Sequence, residues 1–219
     1  MESGDKMQGK SLTLELTDAD IQKMVQRYHF MESDYENISH LYYALLPLVK
    51  AEVFMEYNPG YEFIEYDNYV VIAVTLGEYL DRLIALYSEA EKVLQAYMID
   101  CIGLELLMCA YRKVLQEVHV RTGLWVQQMD FLGDKYPINS TLEILQHMQQ
   151  TRITCNEAFM MSPQKSTVFV AELSGQTKDI DKACTLCKNC KSISCPNRTE
   201  IKKNMNYGYQ RIFGKKENM

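Results

Sequence analysis

The first run of apolar residues at helical spacing begins at Ile21. Ile21, Met24, Val25 and Tyr28 share one face of a predicted helix, and Thr17 with Asp20 forms a capping box at its start. A second helix is predicted from near Asp34 to Met55, striped by Tyr42, Leu45, Leu46 and Val49. Pro47 lacks an amide donor and clashes with the preceding turn, so two shorter pieces fit this stretch equally well. Asn58-Pro59-Gly60 predicts a turn. Tyr61 to Thr75 then reads as strand. Its last part, Tyr69 to Thr75, is aromatic and β-branched and nearly all apolar, as a strand covered on both faces requires. Leu76-Gly77 ends it.

From Glu78 to Gln116 the period returns to three and four. Leu80, Leu83, Ile84 and Tyr87 make one stripe, and Ser88 with Glu91 reads as a capping box for the next, through Val93, Leu94, Tyr97 and Met98. A break is expected between Tyr87 and Ala90, with a kink at Gly103. Leu106, Leu107, Ala110, Val114 and Val118 continue the helical pattern, and Val120 to Gly133 has no clear period. Ser140 with Glu143 predicts a short capped helix carrying Leu142, Leu145 and Met148. Ile153 to Met161 and Thr167 to Leu173 read as a strand pair turned by Pro163-Gln164-Lys165. Gly175 closes the predicted domain, so residues 1–175 form one unit and 176–219 a cysteine-rich tail.

Composition narrows the function classes. The 219 residues suit one large domain with an appendage, and 47% hydrophobic against 24% charged residues supplies a real core. The net charge of −6, without a dense Lys/Arg stripe, argues against general nucleic-acid binding. The polar start of the chain has no apolar stretch like that of a signal peptide, and the longest apolar run, Leu41 to Val49, is about half of the ~20 residues a membrane-crossing helix needs. A cytoplasmic protein with no membrane partner is expected. The histidines His29, His40, His119 and His147 are dispersed at no ligand spacing. The 15 tyrosines and 13 methionines fall mostly at core spacing, Tyr66 and Tyr69 as sheet residues.

The cysteines carry the clearest chemistry. Cys101, Cys109 and Cys155 stand alone in mainly apolar stretches, as small hydrophobes do. Cys184, Cys187, Cys190 and Cys195 form a C-x2-C-x2-C-x4-C-P run. In a reducing compartment such crowding points to metal ligation or redox work rather than to disulfides. Soft thiolates select zinc or an iron–sulfur cluster, and both remain open. A third cysteine so soon after the second is the commoner pattern for clusters. A zinc site here would fold the tail and do no more.

Several motifs occur in the order of a known family. Thr75-Leu76-Gly77, Asp81, and Asp100-Cys101-Ile102-Gly103 resemble the A-T-L-G-x3-D … D-A-I-G run of the cobalamin-dependent methionine synthase activation domain family. Met160-Met161-Ser162-Pro163-Gln164-Lys165-Ser166 resembles its M-x-P-x-K-S turn, and the cysteine tail with Arg198 is similar to the ending of short stand-alone members. The resemblance implies an α+β fold: a C-shaped domain around a twisted, mainly antiparallel sheet flanked by helices. It also implies an accessory role. A methionine synthase or other corrinoid protein carries the cobalamin, an electron donor reduces it, and S-adenosylmethionine remethylates it. Any enzymatic activity would be of this reactivation type.

The same resemblance nominates Gly77, Asp81, Gly133, Tyr136, Pro137, Lys165 and Ser166 as cofactor-binding residues. Each also has a plainer explanation. Gly77 suits a strand-to-helix turn, Asp81 and Asp100 suit helix dipoles, and Lys165 and Ser166 suit a tight turn. The family's Arg-x-x-Pro-Gly-Tyr loop, which holds S-adenosylmethionine, corresponds here to Gln128 through Pro137, where the arginine and the Pro-Gly-Tyr are absent. Two other classes therefore stand beside the accessory role. One is a non-catalytic module that binds a corrinoid protein and has a zinc-stabilised tail. The other is a small iron–sulfur electron carrier.

Overall fold

The structure is a computed structural model that describes residues 5–177. The elements run β1 (Asp5–Ser11), α1 (Asp18–Arg27), α2 (Tyr35–Leu45), β2 (Glu52–Tyr57), β3 (Tyr69–Thr75), α3 (Tyr79–Glu89), α4 (Val93–Thr122), β4 (Trp125–Phe131), α5 (Ser140–His147), β5 (Thr154–Cys155), β6 (Met161–Ser162) and β7 (Ser166–Ser174). Five strands build one sheet in the order β1-β2-β3-β7-β4, and every neighbouring pair is antiparallel. The α+β class with an antiparallel sheet flanked by helices is as the sequence implied. The cysteine-rich tail, with Cys184, Cys187, Cys190 and Cys195, lies outside the described residues.

The central strands explain the layers. Every residue of β3 is buried, because alternate side chains enter two different cores. Val70, Ile72 and Val74 join Phe169 and Ala171 of β7 under the helices α1–α4. Val71 and Ala73 join Val168 and Val170 on the opposite face, beneath α5 and Tyr61, Ile64 and Tyr136. The 30-residue α4 spans about 45 Å. Its length and hydropathy would suffice to cross a membrane, but 56% of its most apolar window is buried inside the fold, as in a core helix.

Local signals predicted some elements correctly. Thr17 and Asp20 form the expected capping box at α1, with Ile21, Met24 and Val25 buried. A break separates α3 from α4 at Ala90–Lys92, just beyond the Tyr87–Ala90 stretch where it was expected.

Other expectations are corrected. The second helix ends at Leu45, and a single 3-10 turn over Leu46–Leu48 accommodates Pro47. Glu52–Tyr57 is a strand because it pairs along its length with β1 and β3. Tyr61 to Asn68 is not strand, so Tyr66 is a loop residue. The Ser88–Glu91 box does not form. Ser88 Oγ donates instead to the Ile84 carbonyl at 2.7 Å, Glu91 has φ +58°, and Lys92 caps α4 without a side-chain bond. α4 runs unbroken through Gly103 to Thr122, so the stretches read on either side of that glycine are one helix. Ser140 lies inside α5, whose cap is Asn139. Thr167 to Leu173 pairs with β3 and β4, whereas the Ile153–Met161 stretch closes on itself as the short β5–β6 pair. The polar N-terminal stretch, to which no element was assigned, forms edge strand β1.

Candidate functional site

One group of nominated residues meets where β3 ends and β7 begins. Thr75 and Ser166 are register partners, and Ser166 Oγ donates to Thr75 Oγ1 at 2.8 Å. The Leu76 amide donates to the Lys165 carbonyl at 3.0 Å. Gly77 then turns with φ +81°, and a Cβ there would lie 3.2 Å from the Lys50 carbonyl oxygen. Conformation and space both require glycine at this point. The Gln164 amide donates to Asp81 Oδ2 at 2.8 Å. Lys165 Nζ reaches Asp100 Oδ1 at 2.6 Å, and its stem lies over Gly103, where a Cβ would meet Lys165 Cε at 2.9 Å.

The structure thus brings Gly77, Asp81, Asp100, Lys165 and Ser166 to one end of the sheet, with Lys165 bonded to Asp100, Gly77 and Ser166 both bonded to Thr75, and Asp81 bonded to Gln164. A cavity of about 510 Å³ opens beside them, with Lys50, Glu52, Thr75, Gly77, Arg82 and Pro163 in its wall. Four of its lining charges are paired with one another, Arg82 with Glu78 at 2.7 Å and Arg152 with Glu52 at 3.1 Å.

The second group, Gly133, Tyr136 and Pro137, belongs to the β4–α5 loop. Gly133 has φ +92°, and its amide donates to the Tyr136 carbonyl at 2.8 Å. The Pro137 carbonyl accepts from the Ser140 amide at 3.1 Å, which leads the chain into α5. Gln128 to Phe131 belongs to β4, so the ligand loop expected over Gln128–Pro137 is half strand. That strand turns Asp130 inward, where its side chain is only 3% exposed.

Around Asp130 the structure gathers Tyr66, Gln128 and Lys135, which were not among the nominated residues, beside Tyr136, which was. Tyr66 Oη donates to Asp130 Oδ2 at 2.5 Å, and Gln128 Nε2 donates to Asp130 Oδ1 at 2.7 Å. Lys135 Nζ stands 3.8 Å from Asp130 Oδ2, 4.0 Å from the centre of the Tyr66 ring and 5.3 Å from that of Tyr136. Phe63 meets the edge of Tyr136 at 6.0 Å. Burial first, then the bond to Asp130 and its negative charge, push the Tyr66 phenol far above the ordinary tyrosine value. Burial, followed by Asp130 and Glu65, does the same to Tyr136. Both rings therefore remain neutral at physiological pH. The signal available in the sequence was Met129-Asp130-Phe131, an acid set between apolar residues on an unassigned strand.

Among the described residues no group of three or more His, Cys, Asp or Glu side chains is placed to hold a metal. Cys101 and Cys109 are buried, as expected for small hydrophobes, and burial chiefly pushes the Cys101 thiol up to about 11. His147, with no assigned role, meets buried Glu56 at 2.9 Å beneath α5.

A mixed fold of this kind, with an antiparallel sheet, α1–α4 on one face and α5 with its neighbouring loops on the other, has a solved counterpart. The chain is similar to the crystal structure of the MetH reactivation domain bound to AdoHcy, with a TM-score of 0.54 over 81% of this chain and 82% of that one. Sequence identity is 10%, so the likeness establishes the fold alone. No protein-family profile matches the chain, and no curated protein matches it by sequence.

Proposed function

We propose that this chain is an accessory protein for the reductive reactivation of a methionine synthase or a related corrinoid protein. The observation that carries this proposal is the shared fold, which extends over 81% of the chain. The solved neighbour binds AdoHcy, which supports an adenosyl ligand for this chain as well. The ordered motifs at Gly77, Asp81, Asp100, Lys165 and Ser166 give secondary support, because they converge at one end of the sheet. S-adenosylmethionine would supply an electrophilic methyl group, carried on a sulfonium, to cobalamin held by the partner. The β4–α5 loop fits a positively charged ligand, since the buried Asp130 carboxylate lies beneath it beside two neutral tyrosines.

The direct test is anaerobic. A corrinoid protein in its cob(II)alamin form is mixed with a chemical reductant, S-adenosylmethionine and this chain. Return of the methylcobalamin spectrum only when the chain is present supports the accessory role. An identical spectrum with and without the chain refutes it.

A second role is favoured by the altered loop, which lacks the arginine and the Pro-Gly-Tyr sequence. In that role the chain binds a corrinoid protein without using S-adenosylmethionine, and its cysteine tail is tied by zinc. Calorimetric titration with S-adenosylmethionine separates the two, because the binding module gives no heat. Metal analysis of the anaerobically prepared protein distinguishes zinc from an iron–sulfur cluster at Cys184, Cys187, Cys190 and Cys195.

A further inference from the structure

The arrangement around Lys135 is that of a cation-binding cage already holding a cation. An ammonium 4.0 Å from one tyrosine ring centre and 5.3 Å from a second lies within the ~6 Å over which a ring face attracts positive charge. Behind it is a carboxylate almost wholly withdrawn from water. Attraction of this kind strengthens as the site loses water, and the hydrogen bond that Tyr66 donates to the Asp130 carboxylate leaves its π-face electron-rich. Glu65 and Glu172 add negative charge around Tyr66 and Tyr136.

The cation now in place is loosely held. Lys135 is 34% exposed on its side chain, and its 3.8 Å approach to Asp130 is longer than a direct charge-assisted hydrogen bond. It comes from the β4–α5 loop itself, one residue before Tyr136. A lysine head is strongly hydrated and prefers water, so this one sits where a less hydrated cation would be better accommodated.

The geometry points to an onium-binding site: Tyr66, Tyr136 and Asp130 receive a trialkylsulfonium or quaternary ammonium group, and Lys135 is a built-in surrogate that the ligand displaces. Such a site distinguishes S-adenosylmethionine from its demethylated product, because only the former carries a positive sulfur. Lys135 imposes a cost on entry, since affinity falls by the fraction of molecules in which the cage is open. The inference rests on the proposed function only for the identity of the natural ligand. The cage itself stands on the distances above.

The test uses the full chain and three substitutions at the cage. Tetramethylammonium and trimethylsulfonium are titrated by NMR at the tyrosine ring resonances, and S-adenosylmethionine and S-adenosylhomocysteine are titrated by calorimetry. Lys135→Met is expected to bind the small onium ions and S-adenosylmethionine about tenfold more tightly than the unaltered chain, with S-adenosylhomocysteine changed less than twofold. In that background Tyr66→Leu loses about tenfold, whereas Tyr66→Phe, which keeps the ring, stays within threefold. The Phe variant guards against a folding defect in the Leu variant.

Small onium ions bound without S-adenosylmethionine would uphold the cage, identify a quaternary ammonium as its ligand and refute the adenosyl ligand. No onium binding to Lys135→Met would overturn the cage and leave the accessory role untouched. Weaker binding after loss of Lys135 would also overturn the cage, because the lysine would then be part of the ligand's own site.

Discussion

Two lysine–carboxylate pairs in this fold are built in opposite ways. At the junction of β3 and β7 the cation is buried and the carboxylate faces out: Lys165 is 9% exposed, Asp100 is 37% exposed, and they meet at 2.6 Å. At the β4–α5 loop the carboxylate is buried and the cation faces out: Asp130 is 3% exposed, Lys135 is 34% exposed, and they stand 3.8 Å apart. A buried cation held by a short bond, its stem packed against a helix, is fixed. A half-exposed cation above aromatic rings can leave for water at little cost, because an ammonium is well solvated there. The first pair is a strut joining β7 to α4, and the second is an exchangeable contact over a lasting negative site.

The largest expected effect comes from breaking the strut. Lys165→Ala should lower unfolding stability by about 2–3 kcal/mol, because it removes a buried stem and one partner of the pair. The partial exposure of Asp100 keeps the loss below that of a fully buried pair. Lys135→Ala should cost only about 0.5 kcal/mol. Equal losses in chemical denaturation would erase the distinction between the two pairs.

A smaller effect tests the fit of the strut against α4. Gly103→Ala gains roughly 1 kcal/mol of helix propensity, but the added methyl meets Lys165 Cε at 2.9 Å and Leu80 Cδ1 at 3.3 Å. Overpacking of this kind costs about 1–3 kcal/mol, so a net loss of up to about 2 kcal/mol is expected. A melting temperature raised by the substitution would show that Lys165 yields easily, which a strut does not.

The smallest effect is alkaline and belongs to the cage. The Tyr66 phenol is raised in the folded state, chiefly by burial and then by its bond to Asp130. The folded chain therefore keeps a proton that the unfolded chain releases near pH ~10. The corresponding stability is fully present below that pH and is lost as pH rises beyond it. Tyr66→Phe should flatten this alkaline decline while leaving stability at lower pH within about 1 kcal/mol. A decline as steep as that of the unaltered chain, measured between about pH 9 and 11, would place its source elsewhere.

The legibility of these two regions in the sequence was uneven. Gly77, Asp81, Asp100, Lys165 and Ser166 were legible through ordered motifs, and the structure assembles them at one sheet end. The charge logic of the β4–α5 loop was not. Asp130 and Lys135 lay within a stretch from which only Gly133, Tyr136 and Pro137 were nominated, and Tyr66, assigned to a strand, reaches Asp130 from 64 positions away. A contact of that separation leaves no trace in local spacing.

The sequence alone determined the features whose causes are local. The capping box at Thr17 and Asp20 spans one turn, and the all-apolar Tyr69–Thr75 run declares a doubly covered strand. The break between α3 and α4 was also marked. Only the tertiary structure decided that Glu52–Tyr57 is a strand, that the polar Asp5–Ser11 pairs beside it, and that Ser166–Ser174 lies between β3 and β4. A helix closes its hydrogen bonds four residues away and can be read in a short window. A strand's partners come from distant parts of the chain, so its identity is settled only when those parts meet.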